Sequence, residues 1–274
     1  MKRPPATLLT SNLSTTAVLP SAVCDRFAAP VAIRTLTTIQ EFGGCVELQR
    51  AVWSLSDLDL MPVRFFVLLQ QVGGLVLGAY AGSALVGFVN SIPRVSDAGS
   101  SWRSHMMAVL PAFQNRGIGT TLKLAQRQRA LESGIDTIEW VFDPLKARNA
   151  HLNLVKLGAV IRRYYVNHYG RLDASRSTLD AGVETDRVVA EWRLGPAADA
   201  FGSETRRIEI PGDVDALKAV DVAAVRAIQL DVRAAFLDCF EHGFVVTGFE
   251  RGSARGAYLL RRPIGPESRR LESH

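Results

Sequence analysis

Val109-Leu110-Pro111-Ala112-Phe113-Gln114-Asn115-Arg116-Gly117-Ile118-Gly119 joins the end of an apolar strand to the first turn of an amphipathic helix. Pro111 ends the strand by removing a ladder donor, and Gly117 and Gly119 let the backbone at the turn come close to a ligand. The first N–H groups of a helix lack intrahelical acceptors and carry the positive end of its dipole, so phosphate oxygens bind there. With Gln114, Asn115, Arg116, Ile118 and Thr120 around the glycines, the segment reads as a cradle for a pyrophosphate rather than for a lone carboxylate. No Gly-Lys-Ser/Thr follows, as a P-loop requires, and no G-x-G-x-x-G is completed after an early strand, as a dinucleotide fold requires. The plainer alternative is that the two glycines only start a helix.

Outward from this loop the hydrophobic period switches repeatedly between two and 3.6. Upstream, residues 101–110 form an extended run, and residues 75–80 and 84–89 read as a hairpin turning at Ala81-Gly82-Ser83. Before them lie a helix over residues 63–72, opened by Pro62 and stopped by Gly73-Gly74, a helix carrying Ile39, Phe42, Val46, Leu48, Val52 and Trp53, and a strand at 31–34. Downstream, a helix over 117–134 sets Ile118, Leu122, Ala125 and Leu131 against polar Lys123, Arg127, Arg129 and Glu132. A strand at 137–142, a helix over 147–157 closed by Gly158, and strands at 160–169 and 188–194 follow.

Composition narrows the function classes. With 47% hydrophobic and 22% charged residues in 274, the chain is globular rather than disordered or fibrous. The excess of 32 basic over 27 acidic residues, +5, is too dilute for a nucleic-acid footprint but suits an anionic small ligand. Cys24, Cys45 and Cys239 lie far apart without metal-ligand spacing, so free thiols, no metal and a cytoplasmic location are expected. The longest apolar stretch, residues 73–89, is interrupted by glycines and falls short of the roughly 20 residues of a membrane span.

Gln114, Arg116, Gly117 and Gly119 fit the Gln/Arg-x-x-Gly-x-Gly/Ala pyrophosphate loop of the GCN5-related N-acetyltransferases (GNAT), and the element order over residues 31–194 resembles that family too. Val141-Phe142-Asp143-Pro144-Leu145-Lys146-Ala147-Arg148-Asn149-Ala150 and Lys156-Leu157-Gly158-Ala159 are similar to a subgroup of predicted acyltransferases with a C-terminal extension. The resemblance implies an α/β (α+β) fold: a mixed, mostly antiparallel central sheet flanked by helices, plus a small C-terminal α/β extension. It implies acetyl-CoA or another acyl-CoA as cosubstrate, and direct acyl transfer to the amine of a small molecule such as an amino acid. Met107, Ala108 and Val109 then offer backbone donors to the thioester carbonyl and an edge to pantetheine. The family's helix asparagine and tyrosine acid are replaced by Ala147 and Leu154, and Asn149 is the candidate substitute for the lost coenzyme contact. A non-catalytic acyl-CoA-binding sensor is the alternative reading.

For proton abstraction, His105 is the first candidate: four residues before Val109, it shares a face with it by strand alternation. Glu139 on the next strand is the substitute base. Arg103 and Tyr165 are substrate-binding candidates, Tyr165 within an aromatic face that includes Tyr164 and Tyr169. Arg226 and Arg233, off the apolar stripe of Val225, Ile228, Val232, Phe236 and Cys239, form a pair able to hold an acceptor carboxylate. The expected organisation is a poorly ordered extension (1–30), a catalytic domain (31–194), a linker (195–203), a C-terminal unit (204–262) and a tail (263–274). The C-terminal unit is too small to stand alone. It is expected to wall the acceptor site, its stripe covered by the catalytic domain or by the second subunit of a homodimer. Truncation near Gly202 is expected to spare coenzyme recognition.

Overall fold

The computed structural model describes residues 30–96, 99–170, 182–195 and 200–264. The chain runs β1 (Val31–Thr35), α1 (Ile39–Trp53), α2 (Val63–Gln71), β2 (Leu75–Ala81), β3 (Ala84–Ser96), β4 (Gly99–Val109), α3 (Ile118–Glu132) and β5 (Thr137–Phe142). It continues with α4 (Ala147–Ala150), β6 (Val160–Tyr165), β7 (Arg187–Arg193), β8 (Ala200–Pro211), α5 (Val214–Val220), α6 (Val222–Glu241), β9 (Val245–Arg251) and β10 (Arg255–Ile264). Entry into α1 is set by a capping box: Glu41 N–H donates to Thr38 Oγ1 at 3.3 Å while Thr38 N–H donates to Glu41 Oε2 at 3.0 Å.

All the strands join one sheet, β1-β2-β3-β4-β5-β7-β6-β9-β10-β8. Its neighbours pair antiparallel except β4 and β5, which run parallel and meet only at Trp102↔Ile138 and Arg103↔Glu139. Helices α1 and α2 cover one face through Phe42, Cys45, Phe66 and Leu69 packed on Val76 and Phe88. Helix α3 covers the other through Ile118 and Leu122, packed on Leu77, Ala79 and Val89. Burial and the nearby Glu41 charge push the Cys45 thiol up to about 12, so it is a packing residue without thiolate character.

The C-terminal unit is continuous with this sheet, β9 joining β6 at Ile161↔Val246. Val225, Val232, Phe236 and Cys239 of α6 are buried in one core with Trp102, Ile138 and Trp140. The apolar stripe is therefore covered by its own chain. Tyr258, fully buried, donates its hydroxyl to Pro144 O at 2.7 Å and so ties β10 to the segment after β5.

Two expected boundaries move. The linker expected over 195–203 ends at Ala200, where β8 begins pairing with β10 at Ile264. The strand is an edge strand with exposed polar residues, so its sequence reads like a connection. The helix expected over 147–157 is α4 followed by a π-helical stretch, His151–Lys156, closed by Leu157 N–H donating to Leu152 O at 3.1 Å. Such widened turns have no simple sequence period and recur at functional sites. The extension over residues 1–29, Cys24, linker residues 196–199 and tail residues 265–274 lie outside the described residues.

Because Tyr258→Phe leaves the Pro144 carbonyl buried without its donor, it should destabilise the protein by about 1–3 kcal/mol. An unchanged midpoint in chemical denaturation would contradict this role.

Candidate functional site

Helix α3 starts at Gly117, whose φ of 82° is left-handed and which offers no side-chain cap. The first helical bond runs from Thr121 N–H to Gly117 O at 3.0 Å, leaving the N–H groups of residues 118–120 without helical acceptors. Asn115, with φ 61°, also takes the left-handed region, which sets up the turn into the helix. These residues line a cleft of about 700 Å³ together with Met107, Val109 and Asn149. Lys146, Arg148, Lys156 and Arg251 line the same cleft with Asp213 and Asp215, the latter paired with Lys146, and the remaining excess of basic residues suits a polyanion. The side chain of Gln114 is used within the protein: it donates to Val109 O at 2.9 Å and accepts from Arg148 Nη1 at 3.1 Å. It shapes the loop. Arg116 lies over the Phe113 ring, 5.3 Å from its centroid, and is not among the cleft residues.

A second cleft of about 630 Å³ opens where β4 and β5 part, and shares Trp53, Met107, Asn149 and Leu152 with the first. Past Arg103, β4 has no strand partner on its β5 side among the described residues. Opposite β3, Val89 pairs with Met107 and Ser91 with Ser104, so Asn90 faces both His105 and Met106, a β-bulge in β4. Asn90 Oδ1 fills the gap by accepting from Met106 N–H at 2.8 Å. The bulge reverses the alternation. Met107 and Val109 pack toward α3, whereas the His105 ring lies 6.4 Å from that of Phe65 on α2. His105 and Val109 are therefore not on one face, as unbroken alternation had predicted. His105 nevertheless lines the second cleft, which takes residues from both faces of the sheet.

Residues 44–158 match the family model described as "Acetyltransferase (GNAT) family". A comparison with curated proteins yields no match. Among solved structures, the ribosomal-protein-S18-alanine N-acetyltransferase of Escherichia coli is similar at 15% identity and a TM-score of 0.47, covering 63% of this chain and 99% of that one. The Salmonella typhimurium protein yncA, solved with acetyl-CoA, is similar at 17% identity and a TM-score of 0.47, over 61% of this chain and 96% of its own. An aminoglycoside 6'-acetyltransferase type Ii is similar at 18% identity and a TM-score of 0.48, over 61% and 99%.

The GNAT match ends at residue 158, yet Gly212–Asp215 and Arg251, beyond it, line the loop cleft. The C-terminal unit thus borders the first cleft, and none of its described residues lines the second. Other expected residues are turned to structural use. Both Glu139 oxygens are held, Oε2 by Arg94 at 2.8 Å and Oε1 by Arg163 at 2.5 Å, and Glu139 lines neither cleft. Arg233 grips Asp186 with Nε and Nη2, each at 2.8 Å, and also pairs with Glu184. Its fork is filled by the chain's own carboxylate. Arg226 donates to Gly182 O and lines neither cleft. Tyr165 stacks on His168, 4.9 Å between centroids, and it is Tyr169 with Arg187 that reaches the second cleft. Arg103 stays near His105 as a cation.

Lys123, assigned by sequence to the polar side of its helix, is 2% exposed and lines the second cleft. Its Nζ donates to Gln126 Oε1 at 2.8 Å, and Gln126 in turn donates to Ser91 Oγ at 2.7 Å and Ser104 Oγ at 3.0 Å. Trp140 and Trp192, from other elements, pack over it, and no one-dimensional period shows that. Desolvation by surrounding protein, then the Arg103 charge, lowers the imidazole pKa of His105, although the ring remains exposed at the cleft. An NMR titration of His105 should therefore give a midpoint below 6.5. A midpoint at or above 6.5 would show that neither effect reaches the ring.

Proposed function

We propose that the chain is an acyl-CoA-dependent N-acyltransferase that moves an acetyl or related acyl group directly to the amine of a small molecule. The observation that carries this reading is the junction of two clefts at Met107 and Asn149: one ends on uncapped helix N–H groups among basic residues, the other on an unpaired strand edge beside a histidine. The first suits the pyrophosphate of coenzyme A, with residues 118–120 donating to it and Lys146, Arg148, Lys156 and Arg251 balancing phosphate charge. The free edge of β4 over Ser104–Val109 suits pantetheine, and its backbone donors suit the carbonyl oxygen as charge develops there. A second cleft of about 630 Å³ falls within the size range of small-molecule sites.

In this reading the acceptor's nitrogen attacks the thioester carbonyl, the C–N bond forms, the C–S bond breaks and coenzyme A leaves as its thiolate. His105 takes the proton the amine must lose. Its lowered pKa keeps it a free base at neutral pH. Tyr164 is not the acid for the thiolate: its hydroxyl donates to Asp186 Oδ2 at 2.6 Å, and burial with that bond pushes its pKa far up. One observation favours a non-catalytic acyl-CoA sensor as second reading. Leu154, where the family's acid tyrosine stands, is buried in the core.

Thiol release from acyl-CoA on adding amines separates the two. Under the catalytic reading, His105→Gln lowers kcat by roughly 10²- to 10⁴-fold with little change in coenzyme affinity, and the acid limb of the wild-type kcat/KM profile lies below pH 6.5. A fully active His105→Gln protein removes this histidine from the mechanism. A Cβ at Gly119 meets nothing closer than Met107 Cε at 3.6 Å, so Gly119→Val should fold yet fill the cradle. Calorimetry should show coenzyme A binding weakened in Gly119→Val and, through lost charge, in Arg251→Ala. Unchanged affinity in both would place the coenzyme elsewhere.

A further inference from the structure

Lys123 carries a basic group deep in the protein. Among the described residues no carboxylate pairs with it; its hydrogen bond goes to the neutral Gln126, and its Nζ lies 3.6 Å from the Trp140 ring centroid and 6.0 Å from that of Trp192. Gln126 is itself fixed by Ser91 and Ser104, so the amine is held in place rather than free to snorkel out. The indole faces suit a cation and occupy one side of it, while the residue opens to the cleft between β4 and β5 on another. A purely structural lysine would be expected to pair with an acid or reach solvent, because a buried unpaired charge is costly and the amine otherwise gives up its proton. Arg233 in the same chain shows that usual solution, paired with Asp186 and Glu184. The other ionisable groups lining this cleft are Asp59, His105, Tyr169 and Arg187. Asp59, the one carboxylate among them, already accepts from Ser56 Oγ at 2.7 Å.

We propose that Lys123 is an anion subsite that takes a substrate carboxylate at the β4–β5 gap, carried either by the acyl group of the donor or by the amine acceptor. This rests on the reading of the cleft as an acyl-transfer site. Burial favours the neutral amine, and an entering carboxylate supplies the charge that restores the ammonium between itself and the tryptophan faces. The subsite selects for an anionic end because a neutral group of the same size leaves the amine without its partner.

The test compares the wild type with Lys123→Met, which keeps the length of the buried stem without the charge, and with Lys123→Gln should the first not fold. Donors are acetyl-CoA and succinyl-CoA, neutral and carboxylate-ended; acceptors are amino acids and their carboxamides. Thiol release gives kcat/KM, and calorimetry gives the affinity for each donor and acceptor alone. The wild type should prefer one carboxylate-bearing partner, and the variant should lose roughly thirtyfold or more on that partner while keeping its neutral counterpart. Loss confined to succinyl-CoA places the carboxylate on the donor; loss confined to the amino acids places it on the acceptor. A wild type without preference for any carboxylate-bearing partner, or a variant whose losses are equal across all of them, overturns the subsite. If the wild type releases no thiol from either donor, the acyl-transfer reading fails, and the subsite stands or falls on the calorimetric preference alone.

Discussion

The separation of β4 from β5 is the constraint on which the site depends. Two paired positions, Trp102 and Arg103 with Ile138 and Glu139, hold the strands together, and beyond them the sheet opens. A parallel pair interrupted inside a sheet leaves backbone groups that need other partners. On the β3 side of β4, side chains order the strand. Asn90 satisfies the bulged Met106 N–H, and Gln126 of α3 gathers Ser91 and Ser104 beneath the opening. At the pinned end, Glu139 is clamped between Arg94 and Arg163, so the opening starts at a defined place.

The gap and the helix start are coupled by short connections. Gln114 bonds the carbonyl of Val109, the last residue of β4, and receives Arg148 from α4. Exposed ion pairs such as Lys146 with Asp215 contribute little stability by themselves. The shared core places the C-terminal unit at the cleft: Tyr258, Phe236 and Phe249 lie in one cluster with Leu145 and Trp140. Arg251, at the end of β9, and the turn before α5 thereby reach the cleft at the start of α3.

The glycine loop and the order of strands and helices were legible because they rest on local signals: a proline stop, a helix opened by glycine, and apolar periods that match their elements. What was not legible depends on partners distant in the chain. The bulge that turns His105 away from Val109 is set by Asn90, a residue on the neighbouring strand. Arg233 reads as a free fork until Asp186, 47 residues away, fills it. Lys123 reads as a solvent-facing residue because the helix period places it among charges, whereas β5 and β7 bring Trp140 and Trp192 over it. Residues 200–203 read as a connection because an edge strand needs no apolar face of its own.

On the proposed function, one ligand spans both clefts, phosphates at the start of α3 and its reactive end at the β4–β5 gap. A crystal structure of the complex with coenzyme A measures this directly. The pyrophosphate is expected within about 3 Å of the N–H groups of residues 118–120, pantetheine along Ser104–Val109, and the thiol opening toward His105. Coenzyme A bound away from the Gly117 turn, or bound there with its thiol directed outside the gap, would contradict it.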